Sequence, residues 1–330
     1  MDDLKKRKRA DSDSEQPTPQ RHPRFWMPHG DIVVQVVHTQ FRVNRDILAF
    51  QSPRSKAVPL VEMAGDTSQD WEVLLSVLYE PFQLTEPMAL NKVAAMMRLG
   101  RKYEMDSMLQ DAISRIRYDF PRKLEDWDEH TANKIEPNMD SASYLCQMLL
   151  LMYEFELWSS VPIATFWLIQ EWPIVRVLLL RAPQFSNEDN HKEAVIENLE
   201  KTEAQVPSRL YASIAAGVER LSIHQKKALS WLATTDPIPA NACITPMLCT
   251  DARILKYHNA LWTPDSAWRF SVLSGWTNEW EGWEDYNVYF CPACNAAGSG
   301  RFDEVRKATW EALPRIFGFP AWDSLKDGTM

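Results

Sequence analysis

Glycine is scarce in this sequence, with ten in 330 residues and "GSG" at Gly298 to Gly300 as its only dense spot. That leaves little material for a phosphate-cradling loop, and neither a P-loop nor a nucleophile-elbow pattern is present. Long apolar runs are lacking too: the greasiest stretch, "SSVPIATFWLIQEWPIVRVLLL", is interrupted by Glu171 and Arg176 and is too broken to span a bilayer. No N-terminal apolar segment resembles a signal peptide, so an intracellular protein is expected, nuclear or cytoplasmic and without a membrane partner. Cysteine is limited to five positions, Cys146, Cys243, Cys249, Cys291 and Cys294. An odd number in a reducing compartment reads as free thiols or metal ligands rather than a disulfide framework. The seven histidines are scattered, and none sits in a context that pairs it with a nucleophile. No catalytic residue is therefore singled out, the chain reads as a non-enzyme, and no motif demands an organic cofactor.

Positive charge is short as well. The net charge is −9, and residues 1–24 carry seven Lys or Arg against five acids, which leaves −11 for the rest. An acidic body is a poor surface for nucleic acid. The basic residues that exist are concentrated in "KKRKR", Lys5, Lys6, Arg7, Lys8 and Arg9, within a tail rich in Pro, Ser and charge. Residues 1–24 are expected to be disordered for want of apolar side chains to bury. The cluster reads either as a nuclear import signal or as part of a solvated tail.

What is present is a 45% apolar chain, long enough for one or two buried cores. Ordered structure is expected from Phe25. "DIVVQVV" and "TQFRV" alternate as half-buried strands joined by a tight turn, and Asn44 is placed to cap a helix holding Ile47, Leu48 and Phe50. "PLVEM" reads as a third strand. Trp71, Leu74, Leu75 and Leu78 then recur at helical spacing, as do Leu90, Val93, Ala94 and Met97, and a further helix runs to Ile116. Residues 121–139 are polar enough for a linker. Residues 140–330 read as mainly helical, through "YLCQMLLLMYEFELW", a helix with Pro162 in its first turn, "NHKEAVIENLEKTEAQ", "RLYASIAAGVERL" and "HQKKALSWLA", to a last helix "FDEVRKATWEAL" stopped by Pro314. Seven of the fourteen Trp fall between Trp262 and Trp322, which marks that part as a unit with indole rings as its core or as an exposed platform.

The order hairpin, helix, strand, helix and two more helices over residues 30 to 118 resembles a BTB (POZ) domain. Asp31 before the first strand, "FRVNRDIL" from Phe41 to Leu48 followed by "SP", then "VEM", "WEVLLSVLYE" and "AAMMRLGRKYEMDSMLQDAISRI" carry the likeness, with Asn44 where that family usually has His. The downstream "FP", "LEDWD", the cysteine pairs and "WEALPRIFGFPAWDSL" are further similar to BTB proteins of the type expanded in mushroom-forming (basidiomycete) fungi. The fold implied is an α+β BTB domain over residues 25–120, short strands packed with helices, followed by the mainly α-helical region. The function implied is a protein-interaction scaffold that forms a homodimer, in transcriptional regulation or as a cullin-3 ubiquitin-ligase substrate adaptor. Asp31, Phe41, Arg45 and Leu48 lie where the family places its dimer interface and fold. Asp31 is most similar to the interface acid, with Arg45 as its charge partner, although a turn cap and a solvated first-turn side chain describe the pair equally well.

One departure stands out. After Pro53 the family continues with a second helix and a loop that carry much of the cullin contact, yet only five residues separate Pro53 from Pro59 where a helix takes about eleven. The domain is thus expected to be internally truncated near residues 53–59. Separately, "CPAC" at Cys291 to Cys294 has the spacing of half a zinc site, with Cys243 and Cys249 as the less regular other half and His258 nearby. The four cysteines read as zinc ligands or as small buried hydrophobes. Zinc would open a further alternative, a metal-dependent nucleic-acid binder that uses the basic tail.

Overall fold

The alternation in "IVVQV" and "TQFRV" becomes a hairpin in the computed structural model, which describes residues 18–51, 60–80, 87–136, 141–170, 208–262, 271–276 and 289–328. Strands β2 (Ile32–Val36) and β3 (Thr39–Val43) pair antiparallel, from Ile32 opposite Val43 to Val36 opposite Thr39. Val37 and His38 make the two-residue turn, with Val37 at φ 54°, a left-handed conformation that a β-branched residue rarely adopts. Ile32, Val34 and Val36 point to the buried face, while Val33 and Gln35 are half-buried on the other.

The "PLVEM" run forms the expected strand, β4 (Leu60–Glu62), which pairs parallel with β2. A strand that was not expected, β1 (Gln20–Trp26), adds parallel to β3, giving the sheet order β1-β3-β2-β4. Structure therefore starts inside the stretch read as a disordered tail. The reason is that β1 buries little of itself: only Phe25 is fully enclosed, so no apolar alternation advertises the strand. Pro23, which lacks an N–H, is tolerated because β1 is an edge. His22 anchors it by stacking on Phe25 and Phe41, at centroid distances of 5.4 and 4.9 Å.

Helices α1 (Arg45–Gln51), α2 (Ser68–Tyr79), α3 (Leu90–Tyr103) and α4 (Asp106–Asp119) follow. Thr67 caps α2 by accepting the Asp70 N–H at 3.0 Å, and the helix buries Trp71, Leu74 and Leu75. Gly100 on α3 lets α4 approach closely, since a Cβ there would stand 3.0 Å from the Leu109 Cβ. The chain divides into two units, Met1–Thr85 with Asn91–Ala112, and Glu86–Leu90 with Ile113–Met330, the boundary falling within α4.

The second unit is helical, and the architecture as a whole is α+β with one small sheet. Within the stretch read as a linker lies a short helix, α5 (Leu124–Asp128), which buries Leu124 alone and so carries almost no apolar signal. Then come α6 (Ser141–Glu154), α7 (Val161–Gln170), α8 (Ser208–Ala228), α9 (Pro246–Trp262) and α10 (Pro292–Ile316). Helix α7 has Pro162 in its first turn and buries Ile163, Phe166 and Leu168 on different sides, which places it inside the unit. "RLYASIAAGVERL" and "HQKKA", read as separate helices, are one continuous helix, α8.

Helix α10 departs furthest from its sequence reading: it begins ten residues earlier than "FDEV" and runs past Pro314. Proline at 314 deprives the Trp310 carbonyl of its intrahelical donor, and the Trp322 indole N–H supplies the missing bond at 2.8 Å. "GSG" is thus helical rather than a loop. Gly298 is needed there because a Cβ would come within 2.6 Å of the Trp276 ring. Trp231, Trp310 and Trp322 are buried, and Trp310 packs on Trp127 and Trp322 at 6.0 and 6.1 Å, so these indoles form core. Among the described residues no helix is long and apolar enough to cross a membrane. Lys5 to Arg9, the 53–59 truncation and "NHKEAVIENLEKTEAQ" lie outside the described residues.

Candidate metal centre

Four of the five cysteines converge. Cys243 lies in the loop before α9 and Cys249 in the first turn of that helix; Cys291 is the N-cap of α10 and Cys294 sits one turn in. Their sulfurs all lie within 4.8 Å of one another, and Cys243 and Cys291 are 3.7 Å apart. A tetrahedral ion with Zn–S bonds of about 2.3 Å needs sulfurs separated by about 3.8 Å. The four sulfurs thus lie close enough together for one ion to reach all of them. Cys146 lies on α6, outside the group, and His258 is exposed on α9 and takes no part in it.

The local fold explains the convergence. Pro292 at the first position of α10 starts the helix directly after Cys291, so the two-residue spacer of "CPAC" brings Cys294 round to the same side. Cys243 and Cys249 are held by a loop hydrogen bond from the Cys243 N–H to the Ala240 carbonyl and by the first turn of α9, whose Cys249 N–H reaches the Thr245 carbonyl, both at 2.9 Å. Leu229, Trp231, Leu232, Ile238, Phe290 and Phe302 enclose the group. Cys249, Cys291 and Cys294 are buried and Cys243 is half-buried.

Polar hydrogens point at the sulfurs. The Ala240 N–H donates to Cys294 Sγ at 3.3 Å, the Cys291 N–H donates to Cys249 Sγ at 3.4 Å, and the Thr245 hydroxyl lies 3.4 Å from Cys249 Sγ. Backbone N–H groups of Cys294 and then Ile244 draw the Cys291 thiol down to about 6, whereas burial pushes Cys294 up to about 12 and Cys243 upward as well. A site with one ready thiolate and two thiols kept protonated by burial binds a cation only by releasing protons. Ala240 and Thr245 were not singled out from the sequence, and no spacing rule points to them, because they reach the sulfurs only through the fold.

The residues read as an interface in the first unit divide into two kinds. Phe41 and Leu48 are buried core. Asp31 and Arg45 are both exposed and linked, but through the backbone: Asp31 Oδ1 accepts the Arg45 N–H at 2.7 Å. That hydrogen bond, ahead of the Arg45 charge, holds the Asp31 carboxyl below its ordinary range. Asp31 therefore serves α1 in the way expected of Asn44. The Asn44 side chain is occupied elsewhere, accepting from the Tyr79 hydroxyl and donating to the His29 carbonyl.

Comparison with the models of known protein families finds no match to this chain, and comparison with curated proteins finds none either.

Proposed function

We propose that this chain is a non-catalytic interaction scaffold, in which a BTB-like N-terminal unit self-associates and a helical C-terminal unit, closed by a structural zinc ion, presents partner-binding surface. The observation that carries the reading is the cluster of four cysteines. Four sulfurs fill every position of a tetrahedral ion, whereas catalytic zinc keeps one position open for water or substrate. Zinc held this way joins the loop before α9 to the start of α10, two segments 42 residues apart from Cys249 to Cys291, and contributes its binding energy to folding. The all-sulfur donor set also suits an iron–sulfur centre, but a group this tight fits a single ion.

The hairpin, the exposed Asp31 and Arg45 at the start of α1, and the buried Phe41 and Leu48 support the BTB-like reading of the first unit. Native mass spectrometry of the full chain tests both halves at once. The expected species is a dimer carrying one zinc per chain, with the metal lost in Cys291→Ser and the dimer lost in Asp31→Arg. A metal-free wild-type protein that folds normally would overturn the zinc centre, and a monomer at micromolar concentration would overturn self-association.

A further inference from the structure

The outward side of α9 is apolar where a surface helix is ordinarily polar. Among the described residues nine large apolar side chains are exposed, and four of them, Ile244, Met247, Leu248 and Ile254, lie within the eleven residues from Ile244 to Ile254. Met247 is 82% exposed, Leu248 58% and Ile254 52%, so each has more than half of its surface in water. Single exposed apolar residues need no explanation, whereas a contiguous group marks an interaction surface. Cys249, Ala252 and Arg253 are buried on the opposite side, so the docking of the helix on its own unit fixes which face is left outside.

Two polar residues stand in the middle of that face. Asp251 and His258, both exposed, are seven residues apart, which on an α-helix puts them within about 20° of each other and about 10 Å apart along the axis. Met247 and Ile254 flank this line on one side, Leu248 and the half-buried Leu255 on the other. The pattern complements itself under a two-fold axis. When a second α9 lies antiparallel with the axis between Ile254 and Leu255, Asp251 of each copy meets His258 of the other, and an imidazole N–H can donate to the carboxylate. A parallel pair, or an antiparallel one centred on Asp251, sets carboxylate against carboxylate instead. We infer that the exposed face of α9 is a contact between two copies of this chain, packed antiparallel with Asp251 against His258. One helix face is small beside the roughly 800 Å² per partner of a stable interface, so the contact is weak and forms above the micromolar range. It does not draw on the metal reading, and it rests on the proposed self-association of the first unit only for the size of the assembly: two different two-fold contacts on one chain extend it beyond the dimer.

The test is sedimentation velocity of the full chain under reducing conditions, from one micromolar to a few hundred micromolar. Wild type is expected to grow beyond the dimer as concentration rises, and Met247→Asp, a change at a side chain that mostly meets solvent, is expected to stop at the dimer. Asp251→His sets imidazole against imidazole twice per contact and should weaken the higher association about tenfold. Combining it with His258→Asp exchanges the partners and should restore wild-type behaviour. Asp31→Arg, which leaves only the α9 contact, should pass from monomer to dimer over the same range. Superimposable sedimentation of wild type and Met247→Asp at every concentration overturns the inference and leaves the face to a helix of another protein, and failure of the exchange to recover what Asp251→His loses overturns the pairing. A wild type that stays dimeric throughout while Asp31→Arg stays monomeric sinks this inference alone. A wild type that Met247→Asp converts to monomer throughout upholds it and sinks the reading of the first unit. Should Asp31→Arg fail to fold, wild type, Met247→Asp and the exchange variants decide without it.

Discussion

Asp66 illustrates how much of the first unit's stability hangs on one carboxylate. It is buried at the foot of α2, where it accepts from the Trp71 indole N–H at 2.8 Å and from Lys102 Nζ and the Tyr103 hydroxyl on α3. Burial alone would raise its pKa, but the hydrogen bonds from Lys102, Tyr103 and Trp71 outweigh it and hold the carboxyl below its ordinary value. Asp66→Ala strands a buried indole N–H and a half-buried hydroxyl, and is expected to destabilise the unit by about 2 to 3 kcal/mol in urea unfolding. Because the folded pKa is depressed, this stabilisation is present above the unfolded value, about 3.9, and is lost as pH falls through the folded one. The difference between wild type and Asp66→Asn should therefore shrink below about pH 4. Nothing in "AGDTSQDW" signals this role: Asp66 reads from sequence as one of three cap-type residues, and only the fold brings Lys102 and Tyr103 to it. Asp119 in the second unit has the opposite sign. Burial outweighs hydrogen bonds from the N–H groups of Lys134 and Ile135 and raises its pKa, so its ionised form costs stability at neutral pH.

At the level of elements, legibility followed how much apolar surface each one buries in a regular period. The hairpin and helices α2, α3 and α4 bury alternate or i, i+3, i+4 positions and were visible as such. β1 and α5 bury one residue each and were not. In α10 the sequence misled in both directions. Glycines 298 and 300 and the "CPAC" turn argue against a helix, and Pro314 argues for its end, yet the helix spans all of them. Tertiary contacts override propensity there, with the Trp276 ring demanding a glycine at 298 and the Trp322 indole compensating for the proline. Gly298→Ala therefore separates helix propensity from packing. Propensity alone would stabilise α10, but the added methyl meets the Trp276 ring at 2.6 Å. The expected outcome is a lower melting temperature by circular dichroism, with stability recovered when Trp276→Leu is combined with it; a higher melting temperature in the single variant would refute the close contact.

For the whole molecule, with zinc bound as proposed, the two units depend on acid-labile groups of different chemistry, and this sets the order in which they fail. The "CPAC" half of the metal centre was legible as a motif. The other half was not, because a six-residue spacing of Cys243 and Cys249 acquires meaning only when α9 brings the pair onto α10. Under the proposed occupancy the second unit is held together by thiolates, whose ordinary pKa is about 8.5 and of which Cys243 and Cys294 stay ionised at neutral pH only while metal is bound. The first unit relies on Asp66, a carboxylate ionised down to much lower pH. On acidification the thiolates reprotonate and release zinc first. Asp119 pulls the other way, but by a single proton against the several taken up by the cysteines. Hydrogen exchange read by mass spectrometry should accordingly show peptides from 246–262 and 292–316 losing protection at a pH where peptides from 68–79 and 91–103 keep theirs. A strong zinc chelator at pH 7.4 should reproduce that selective loss without any change of pH. Simultaneous loss of protection in both sets of peptides would mean that the two units fold as one cooperative body, and chelator resistance of 292–316 would mean that the sulfur group stands without metal.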